Sequence, residues 1–434
     1  MKRLFKGGRV VDPANGRDGM FDVLIDGDRI ADVGANLTAD GAEVVTIPAG
    51  LVICPGFIDM HVHLREPGQE HKETVATGVA AAVAGGFTAV ACMPNTKPVN
   101  DNAGVTPLIL QKAAAAGLAR VYPIGAVSRG QQGEELADIA ELKAAGCVAV
   151  SDDGLPVATA LLARRALEYT SMFDMPMIEH CEDQSLKGDG VAHEGPVAAS
   201  LGLRGIPGAA ESITAGRDIL LAEMTGGHVH IAHMSAWTTM EAVRQGKGRG
   251  VKVTCEVCPH HFTLTDELLA APVAYDTNTK MNPPLREARD RDAMIAGIVD
   301  GTVDVISTDH APHHYDEKHV EFDRAPFGII GLETAVPITL DRLVHTGLIT
   351  LSRMVELMSV NPARILHVEG GSLAAGALAD ITILAPDLRV TVDKTKLRSK
   401  SKNTPFHGWS FTGGVAATIV GGRTVYTNPE AKLT

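Results

Sequence analysis

Two histidines separated by one residue, His61 and His63, occur in the segment GFIDMHVHLREPG at residues 56–68. The apolar residues around them are typical of a β-strand, in which alternate side chains share a face. Two imidazoles on one face are close enough to bind the same metal ion. The spacing therefore predicts part of a metal site at the end of a buried strand.

Other potential ligands also follow apolar runs of strand length. They are the pair Asp152 and Asp153, then His180, His233 and Asp309. A single histidine at a strand end is usually a capped or solvated residue. Seven ionisable side chains on five strands need another explanation, because burying so many without a metal would be costly. Histidine and carboxylate ligands suit zinc or a similar divalent ion.

The number of these ligands favours two ions over one. Six ligands exceed the four that a tetrahedral zinc uses. A carboxylate at the end of the fourth strand would bridge the ions, about 3.5–4 Å apart with a hydroxide between them. We assign the bridge to Asp153, because its neighbour Asp152 should point to the opposite face of the strand.

The middle of the chain alternates between strand-like and helix-like segments. The strand-like runs are residues 56–64, 88–95, 120–127, 147–154, 175–182, 228–235, 251–262 and 304–313. Eight strands, each followed by a crossover, predict a (β/α)₈ TIM-type barrel, in which the carboxyl ends of the strands form one mouth. A doubly wound open sheet is the alternative fold.

Both ends of the chain contain short strands with tight turns. The segment VLIDGDRIADVG (23–34) has Asp-Gly between apolar runs, a strong hairpin signal, and AATIVGGRTVY (416–426) has Gly-Gly. Neither end can bury a core alone. We therefore predict that residues 1–54 and 366–434 pair as one discontinuous β-sandwich domain, with the catalytic barrel at residues 55–365 between them.

The composition of the 434 residues argues against several classes of protein. The formal net charge is −13 and no basic cluster occurs, which argues against a nucleic-acid binder. The six cysteines are scattered, and the pair Cys255 and Cys258 is interpreted as two reduced core thiols of a cytoplasmic protein. The start MKRLFKGGRVVDP lacks the apolar core of a signal peptide. The charge-free stretch 74–96 is interpreted as a helix and a buried strand rather than a membrane span.

The chain also carries seven longer motifs, which are DMHVHLREPG, MPNTKP, SDDG, EHCED, IAHMS, MNPPLR and STDHAPH. Together they resemble the dihydroorotases of the amidohydrolase superfamily, in the type I bacterial form, and the likeness extends to the flanking β segments. The resemblance implies a zinc enzyme that reversibly cyclises N-carbamoyl-L-aspartate to (S)-dihydroorotate in de novo pyrimidine biosynthesis, with about two ions per subunit.

The resemblance also assigns the ligands to two ions. The residues matching His61, His63 and Asp309 bind the more buried ion, and those matching His180 and His233 bind the second. Many members of the superfamily bridge the ions with a carbamylated lysine. No lysine occurs near the end of the fourth strand, so the chain resembles the subgroup with an aspartate bridge, here Asp153.

The substrate side of the pattern centres on Arg65, whose guanidinium offers the bidentate fork that an α-carboxylate needs. The resemblance adds further substrate contacts: His63, Asn95, Asn282, His313 and the backbone at Phe327 and Gly328. It makes Asp309 the group that takes a proton from the hydroxide and delivers it to the departing amide nitrogen. The charged segment 311–328 is predicted to be a loop over the mouth.

Three other functions share part of this pattern. An allantoinase or hydantoinase opens a different cyclic amide but usually carries the lysine bridge. A non-catalytic dihydroorotase-like partner of aspartate transcarbamoylase has lost ligands that are all present here. A metal-dependent deaminase normally needs one ion and no bridge. The resemblance further implies a small-molecule substrate, a homodimer, an association with aspartate transcarbamoylase, and no membrane partner.

Overall fold

The computed structural model describes residues 2–431 and 433. Its strands, in chain order, are β1 (Lys2–Asp12), β2 (Arg17–Asp26), β3 (Arg29–Gly34), β4 (Glu43–Thr46), β5 (Val52–Pro55), β6 (Phe57–Val62), β7 (Phe87–Cys92), β8 (Arg120–Gly125), β9 (Ala149–Ser151), β10 (Met177–Glu179), β11 (Ala192–His193), β12 (Gly205–Ile206), β13 (Val229–Ile231), β14 (Val253–Val257), β15 (Val305–Ile306), β16 (Ile381–Thr391), β17 (Ser410–Val420) and β18 (Arg423–Thr427).

Its α-helices are α1 (Val75–Ala84), α2 (Val105–Ala116), α3 (Ile139–Ala145), α4 (Ala160–Ser171), α5 (Gln184–Lys187), α6 (Pro196–Ser200), α7 (Gly208–Thr225), α8 (Trp237–Gly248), α9 (Ala288–Asp300), α10 (Tyr315–Lys318), α11 (Ala335–Thr339), α12 (Leu351–Val355) and α13 (Asn361–Leu366). A π-helical turn follows α11 at Leu340–Val344, and another follows α12 at Glu356–Val360.

Eight parallel strands form the barrel in the order β6, β7, β8, β9, β10, β13, β14 and β15. A parallel bridge between Val62 and His310 brings the last strand back beside the first, and the His63 N–H donates to the His310 carbonyl at 2.8 Å. Each predicted strand-like run overlaps one of these strands, and β7 begins one residue before its run. The (β/α)₈ prediction is therefore confirmed, and the open-sheet alternative is wrong.

The charge-free stretch 74–96 forms α1 and β7, as predicted. The Thr74 hydroxyl accepts a hydrogen bond from the Thr77 N–H at 3.1 Å, which caps the start of α1. Val75 and Val79 on α1 are buried. Every residue of Phe87–Cys92 is also buried, so β7 is covered on both faces of the sheet. Within the described residues, no helix is long and apolar enough to cross a membrane.

Strands from both ends of the chain join in one mixed sheet, as the paired-ends prediction requires. Its order is β18, β17, β16, β5, β1, β2 and β3, with β4 paired to β1. Both predicted hairpins, β2–β3 and β17–β18, are present. Gly422 in the second turn has φ +73°, and an added Cβ would lie 2.1 Å from the Gly27 carbonyl oxygen, so only glycine fits. The exact domain limits stay a prediction.

Residues 394–404, which we call the strap, lie between β16 and β17 but contact the barrel. The Ser399 hydroxyl and the Lys400 N–H donate to the buried carboxylate of Glu73 at 2.5 and 3.0 Å. The Ser401 hydroxyl donates to the Lys72 carbonyl at 2.7 Å. The strap therefore ties the C-terminal part of the chain to the loop that follows β6.

A buried histidine next to β13 makes the stability of the fold depend on pH. The Nδ1 of His228 has no hydrogen-bond partner in the part of the chain that the structure describes, and its Nε2 lies 2.8 Å from the Thr254 hydroxyl. Burial, assisted by the charges of His230 and Lys252, lowers the pKa of His228 to about 3. An unfolded histidine titrates near pH 6.5, so between about pH 6.5 and 3 the unfolded chain binds the extra proton. The folded protein therefore loses stability as the pH falls through this window.

We expect His228→Gln to reduce that loss by about 2 kcal/mol between pH 6.5 and 4.5, because glutamine does not titrate. Urea unfolding of both proteins at the two pH values measures the difference. The exposed His407, changed to glutamine, is the control and should leave the loss as in the parent protein. An equal loss of stability in His228→Gln and the parent would contradict the expectation.

Candidate metal centre and substrate cavity

The six predicted ligands lie at the carboxyl ends of five barrel strands. They are His61 and His63 from β6, Asp153 after β9, His180 after β10, His233 after β13 and Asp309 after β15. Each is at most 6% exposed. The structure therefore brings together at one mouth side chains that are up to 248 residues apart in the chain (309 − 61).

The carboxylate of Asp153 is the centre of this group. Its Oδ1 lies 3.4 Å from His61 Nε2, 3.3 Å from His180 Nδ1 and 3.2 Å from His233 Nε2. Its Oδ2 lies 3.4 Å from His63 Nε2. One carboxylate thus faces four imidazoles, which is the geometry that a bridging ligand requires.

The neighbouring Asp152 points away from the mouth. Its Oδ1 accepts hydrogen bonds from the N–H groups of Val127 and Ser128 at 2.9 and 3.0 Å, and its Oδ2 accepts one from the Ser128 hydroxyl at 2.5 Å. Three hydrogen bonds occupy this buried carboxylate, so it anchors the loop after β8 and is not available to an ion.

Two sets of three residues each bring their ligand atoms within 4.8 Å of one another, which is close enough to hold an ion. One set is His61, His63 and Asp309, and the other is His61, Asp153 and His233. His180 borders the second set, because its Nδ1 lies 2.9 Å from His233 Nε2.

Hydrogen bonds on the far side of two rings fix which nitrogen faces the mouth. The Nδ1–H of His61 donates to Glu256 at 2.7 Å, and that of His63 donates to the Asn95 side-chain oxygen at 2.9 Å. Both rings therefore present the Nε2 lone pair to the centre. Among the described residues, His61 Nε2 is buried without a hydrogen-bond partner, which costs free energy unless a cation lies next to it. The residues thus fit a metal ion.

The charges at the centre favour positive species. Burial alone would lower the pKa of His61, but the carboxylates of Asp153 and Glu256 outweigh it and raise that pKa well above its ordinary value. For His180, Asp153 and Glu182 likewise outweigh burial and raise the pKa to about 10. At His61 and His180 the carboxylates thus hold protons where a metal would sit, and binding of a cation there must release them.

A cavity of about 310 Å³ opens directly onto this centre. All the residues predicted to touch substrate line it: His63, Arg65, Asn95, Asn282, His313, Phe327 and Gly328. Burial lowers the pKa of Arg65 to about 10, so its guanidinium stays charged at neutral pH. The cavity therefore combines a cation-binding centre with a fixed positive charge.

Four of these residues contact each other or the predicted metal ligand His180. The Nε2–H of His313 donates to the Phe327 carbonyl at 2.8 Å, and Arg65 Nη2 lies 3.4 Å from the same nitrogen. The Asn282 amide nitrogen lies 3.2 Å from His180 Nε2. The segment 311–328 includes the short helix α10 and supplies the cavity wall around Phe327.

Sequence reasoning missed two residues that support the centre. Glu256 is fully buried in β14, where its two oxygens face His61 and His230. A carboxylate in the middle of an apolar strand was the signal that could have identified it. Lys187 also lines the cavity, and its ammonium donates to Glu182 at 2.7 Å, but nothing in its local sequence marks it.

Asn403 of the strap is the third residue that was missed. Its amide nitrogen donates to the carbonyls of Ala311 and Gly328 at 3.0 and 3.1 Å, and its side-chain oxygen accepts from the His313 N–H at 3.1 Å. A single buried amide thus joins the chain after β15 to the segment that lines the cavity. No local pattern could show this contact, because the partners are 75 to 92 residues away.

The interpretation of Cys255 and Cys258 as core thiols agrees with the structure. Both are free and fully buried. Cys258 also lies near His260 and His261 in a third group of potential ligand atoms. Burial, with the nearby carboxylate of Asp309, raises the pKa of the Cys258 thiol well above its ordinary value, so the thiolate that metals prefer is disfavoured there.

Comparison with known proteins identifies close relatives over the whole chain. A family model described as dihydro-orotase-like matches residues 50–239. The dihydroorotase of Pelotomaculum thermopropionicum is 54% identical over 425 residues, which is 98% of each chain. The dihydroorotase of Geobacter metallireducens is 51% identical over 426 residues, 98% of this chain and 100% of that one.

Solved structures of more distant proteins share the fold. L-hydantoinase from Arthrobacter aurescens superposes with a TM-score of 0.87 at 24% identity, over 98% of this chain and 96% of that one. Dihydropyrimidinase from Brevibacillus agri superposes with a TM-score of 0.83 at 23% identity, over 99% and 95% of the two chains. At this identity the likeness concerns the fold alone.

The position of Asp153 predicts that it controls metal binding. We expect Asp153→Asn to lose at least half of the metal that the parent protein retains after dialysis, because loss of a ligand costs more than the roughly 10–100-fold in affinity typical of outer-shell partners. Elemental analysis of both dialysed proteins measures the content.

Asp152→Asn is the matched control, with the same change of charge one residue away. It should keep the metal content but lower the free energy of unfolding by about 1–3 kcal/mol, because a buried acceptor is lost. Full metal retention in Asp153→Asn, or metal loss in Asp152→Asn alone, would contradict the assignment.

Proposed function

The chain belongs to the dihydroorotase family, and we propose from that membership that it is a type I bacterial dihydroorotase of the amidohydrolase superfamily. It catalyses the reversible cyclisation of N-carbamoyl-L-aspartate to (S)-dihydroorotate, a step of de novo pyrimidine biosynthesis. Identity of 51–54% to curated dihydroorotases over 98% of the chain carries this conclusion. A cation-binding centre beside a buried arginine suits a cyclic amide that bears a carboxylate.

We propose two zinc ions per subunit. His61, His63 and Asp309 would hold one, His180 and His233 the other, and Asp153 would bridge them. The support is the set of close ligand atoms from His61, His63 and Asp309, together with the contacts of Asp153 with His63 through Oδ2 and with His180 and His233 through Oδ1. When bound, zinc polarises a carbonyl oxygen and lowers the pKa of water toward neutrality.

Asp309 is proposed to move the proton. Burial opposes ionisation, but the neighbouring imidazoles of His63 and His61 outweigh it and hold the pKa of Asp309 below its ordinary value. The carboxylate therefore starts ionised and can accept a proton from the attacking water. It then delivers that proton to the departing ring nitrogen, and in the biosynthetic direction it removes the proton from the same nitrogen.

Arg65 is proposed to bind the α-carboxylate that dihydroorotate and carbamoyl-aspartate share. Its Nε donates to the Pro312 carbonyl at 3.2 Å, which fixes the plane of the guanidinium at the cavity wall. The other proposed substrate contacts are His63, Asn95, Asn282, His313 and the backbone at Phe327 and Gly328. Asn95 accepts from His63 and keeps its amide N–H groups for the substrate.

The wider setting is also a proposal. We infer a cytoplasmic enzyme that acts as a homodimer and associates with aspartate transcarbamoylase, supported by the likeness of its motifs to the type I family. The division into a barrel at residues 55–365 and a β-sandwich domain at 1–54 and 366–434 is supported by the mixed sheet from both chain ends.

A substrate panel tests the proposed function. The zinc-loaded protein should hydrolyse dihydroorotate with a kcat/KM at least about 1,000-fold above that for hydantoin or allantoin, because a buried arginine left without a carboxylate is costly. Faster hydrolysis of hydantoin or allantoin would overturn the proposal.

Arg65→Lys should raise KM for dihydroorotate about 10–100-fold with an unchanged metal content, since lysine keeps the charge but loses the bidentate fork.

Asn403 is expected to act on KM more than on kcat, because it positions His313 and Gly328 without touching substrate. Asn403→Ala should raise KM for dihydroorotate about tenfold, as loss of a well-placed set of hydrogen bonds does. Ser401→Ala also removes a strap hydrogen bond, but to the Lys72 carbonyl, and should stay near the parent KM. Equal effects of the two variants would indicate a merely structural strap.

A further inference from the structure

A second cavity of about 590 Å³ lies beside the substrate cavity. It is bounded by residues 313–319 on one side and by the strap on the other, and we call it the side cleft. His313 lines both cavities, so they share a wall. The volume falls within the roughly 300–1,000 Å³ of small-molecule sites.

The side cleft carries an excess of positive charge. Four lysines line it, Lys318, Lys394, Lys400 and Lys402, against one carboxylate, Asp276. Burial lowers the pKa of Lys318 to about 7, so the positive charge rests mainly on the other three. That carboxylate already accepts a hydrogen bond from the Asn278 N–H at 2.9 Å. The chain as a whole has a net charge of −13, so the cleft is a local exception that attracts anions to one place.

The cleft also has a flat aromatic wall. The rings of Tyr315 and His319 stack with centroids 4.9 Å apart and planes 17° apart. Tyr315 is 68% exposed, so its outer face is open to a ligand. An exposed ring next to ammonium groups is the combination that binds a nucleobase and its phosphates.

Two side chains connect the cleft to the substrate cavity. The Lys318 ammonium donates to the carbonyls of Pro326 and Gly328 at 2.8 and 3.0 Å, and both residues line the substrate cavity. His313 donates through Nε2–H to the Phe327 carbonyl, while its buried Nδ1 has no hydrogen-bond partner within residues 2–431 and 433. The same residues thus form one wall of the cleft and hold the segment proposed to contact substrate.

We propose that the side cleft binds a phosphate-bearing anion, and that a nucleoside triphosphate is the form that uses both the lysines and the aromatic wall. When the anion occupies the side cleft, it weakens binding of substrate in the neighbouring substrate cavity. The anion competes with the Pro326 and Gly328 carbonyls for the Lys318 ammonium, which loosens the substrate segment. It also lowers the positive potential that an anionic substrate meets at Arg65. Both effects raise KM, and by linkage substrate weakens binding of the anion.

The test uses the zinc-loaded enzyme with adenosine triphosphate, uridine triphosphate and inorganic triphosphate as probes. We expect calorimetric binding of at least one nucleotide and a rise in KM for dihydroorotate of about fivefold with unchanged kcat, at the lower end of allosteric coupling. Tyr315→Ala should weaken nucleotide binding but leave inorganic triphosphate unaffected, because only the base contacts the ring.

A pair of charge reversals locates the site. Lys394 lines the cleft, whereas Lys396, two residues on, lies outside it with its side chain 82% exposed. Lys394→Glu should abolish binding and the KM shift with the basal rate unchanged, and Lys396→Glu should behave as the parent. Absence of binding at millimolar nucleotide would overturn the proposal. So would a KM shift that survives Lys394→Glu, because the anion would then act on the catalytic ions or in the substrate cavity.

Discussion

One carboxylate, that of Asp153, lies in contact with four imidazoles at the mouth of the barrel, and the positions of the surrounding strands maintain that contact. So many buried ionisable groups repel or attract one another strongly, and the arrangement persists only if each is fixed. The barrel fixes them by distributing the six ligands over five buried strands. His61 and His63 lie at the end of β6, and each of the other four lies just after a strand of its own. Because those strands are hydrogen-bonded side by side, the ligands cannot move apart independently.

The next layer of residues determines how the imidazoles face the centre. Glu256 and Asn95 accept the Nδ1 protons of His61 and His63, which leaves the Nε2 lone pairs directed inward. Asp152 fixes the loop after β8, so the adjacent Asp153 is presented from a rigid strand end. Asn403 has a similar positioning role on the substrate side, because it hydrogen-bonds to the carbonyls of Ala311 and Gly328 and to the N–H of His313.

Periodicity and strand-end chemistry were sufficient to predict the barrel, the paired chain ends and the convergence of the ligands. These features depend on local patterns: apolar runs mark strands, and polar residues that end such runs mark the mouth. The choice of Asp153 over Asp152 followed from the two-residue period of a strand, and the hydrogen bonds of Asp152 agree with it. By contrast, Lys187 and Asn403 act through contacts between segments far apart in the chain. No local pattern encodes such contacts, because their partners are backbone carbonyls or side chains chosen by tertiary packing.

The strap makes the support of the substrate cavity depend on a segment that is synthesised late. All eight barrel strands precede the strap in the chain, so they are synthesised before the Asn403 amide that supports the wall around Gly328. All the predicted ligands for a cation are thus synthesised before the residue that completes the support of the cavity. A chain that stops short of residue 403 would retain the entire set of ligands and all eight barrel strands, but it would lack the Asn403 anchor of the substrate segment and the sheet strands β17 and β18.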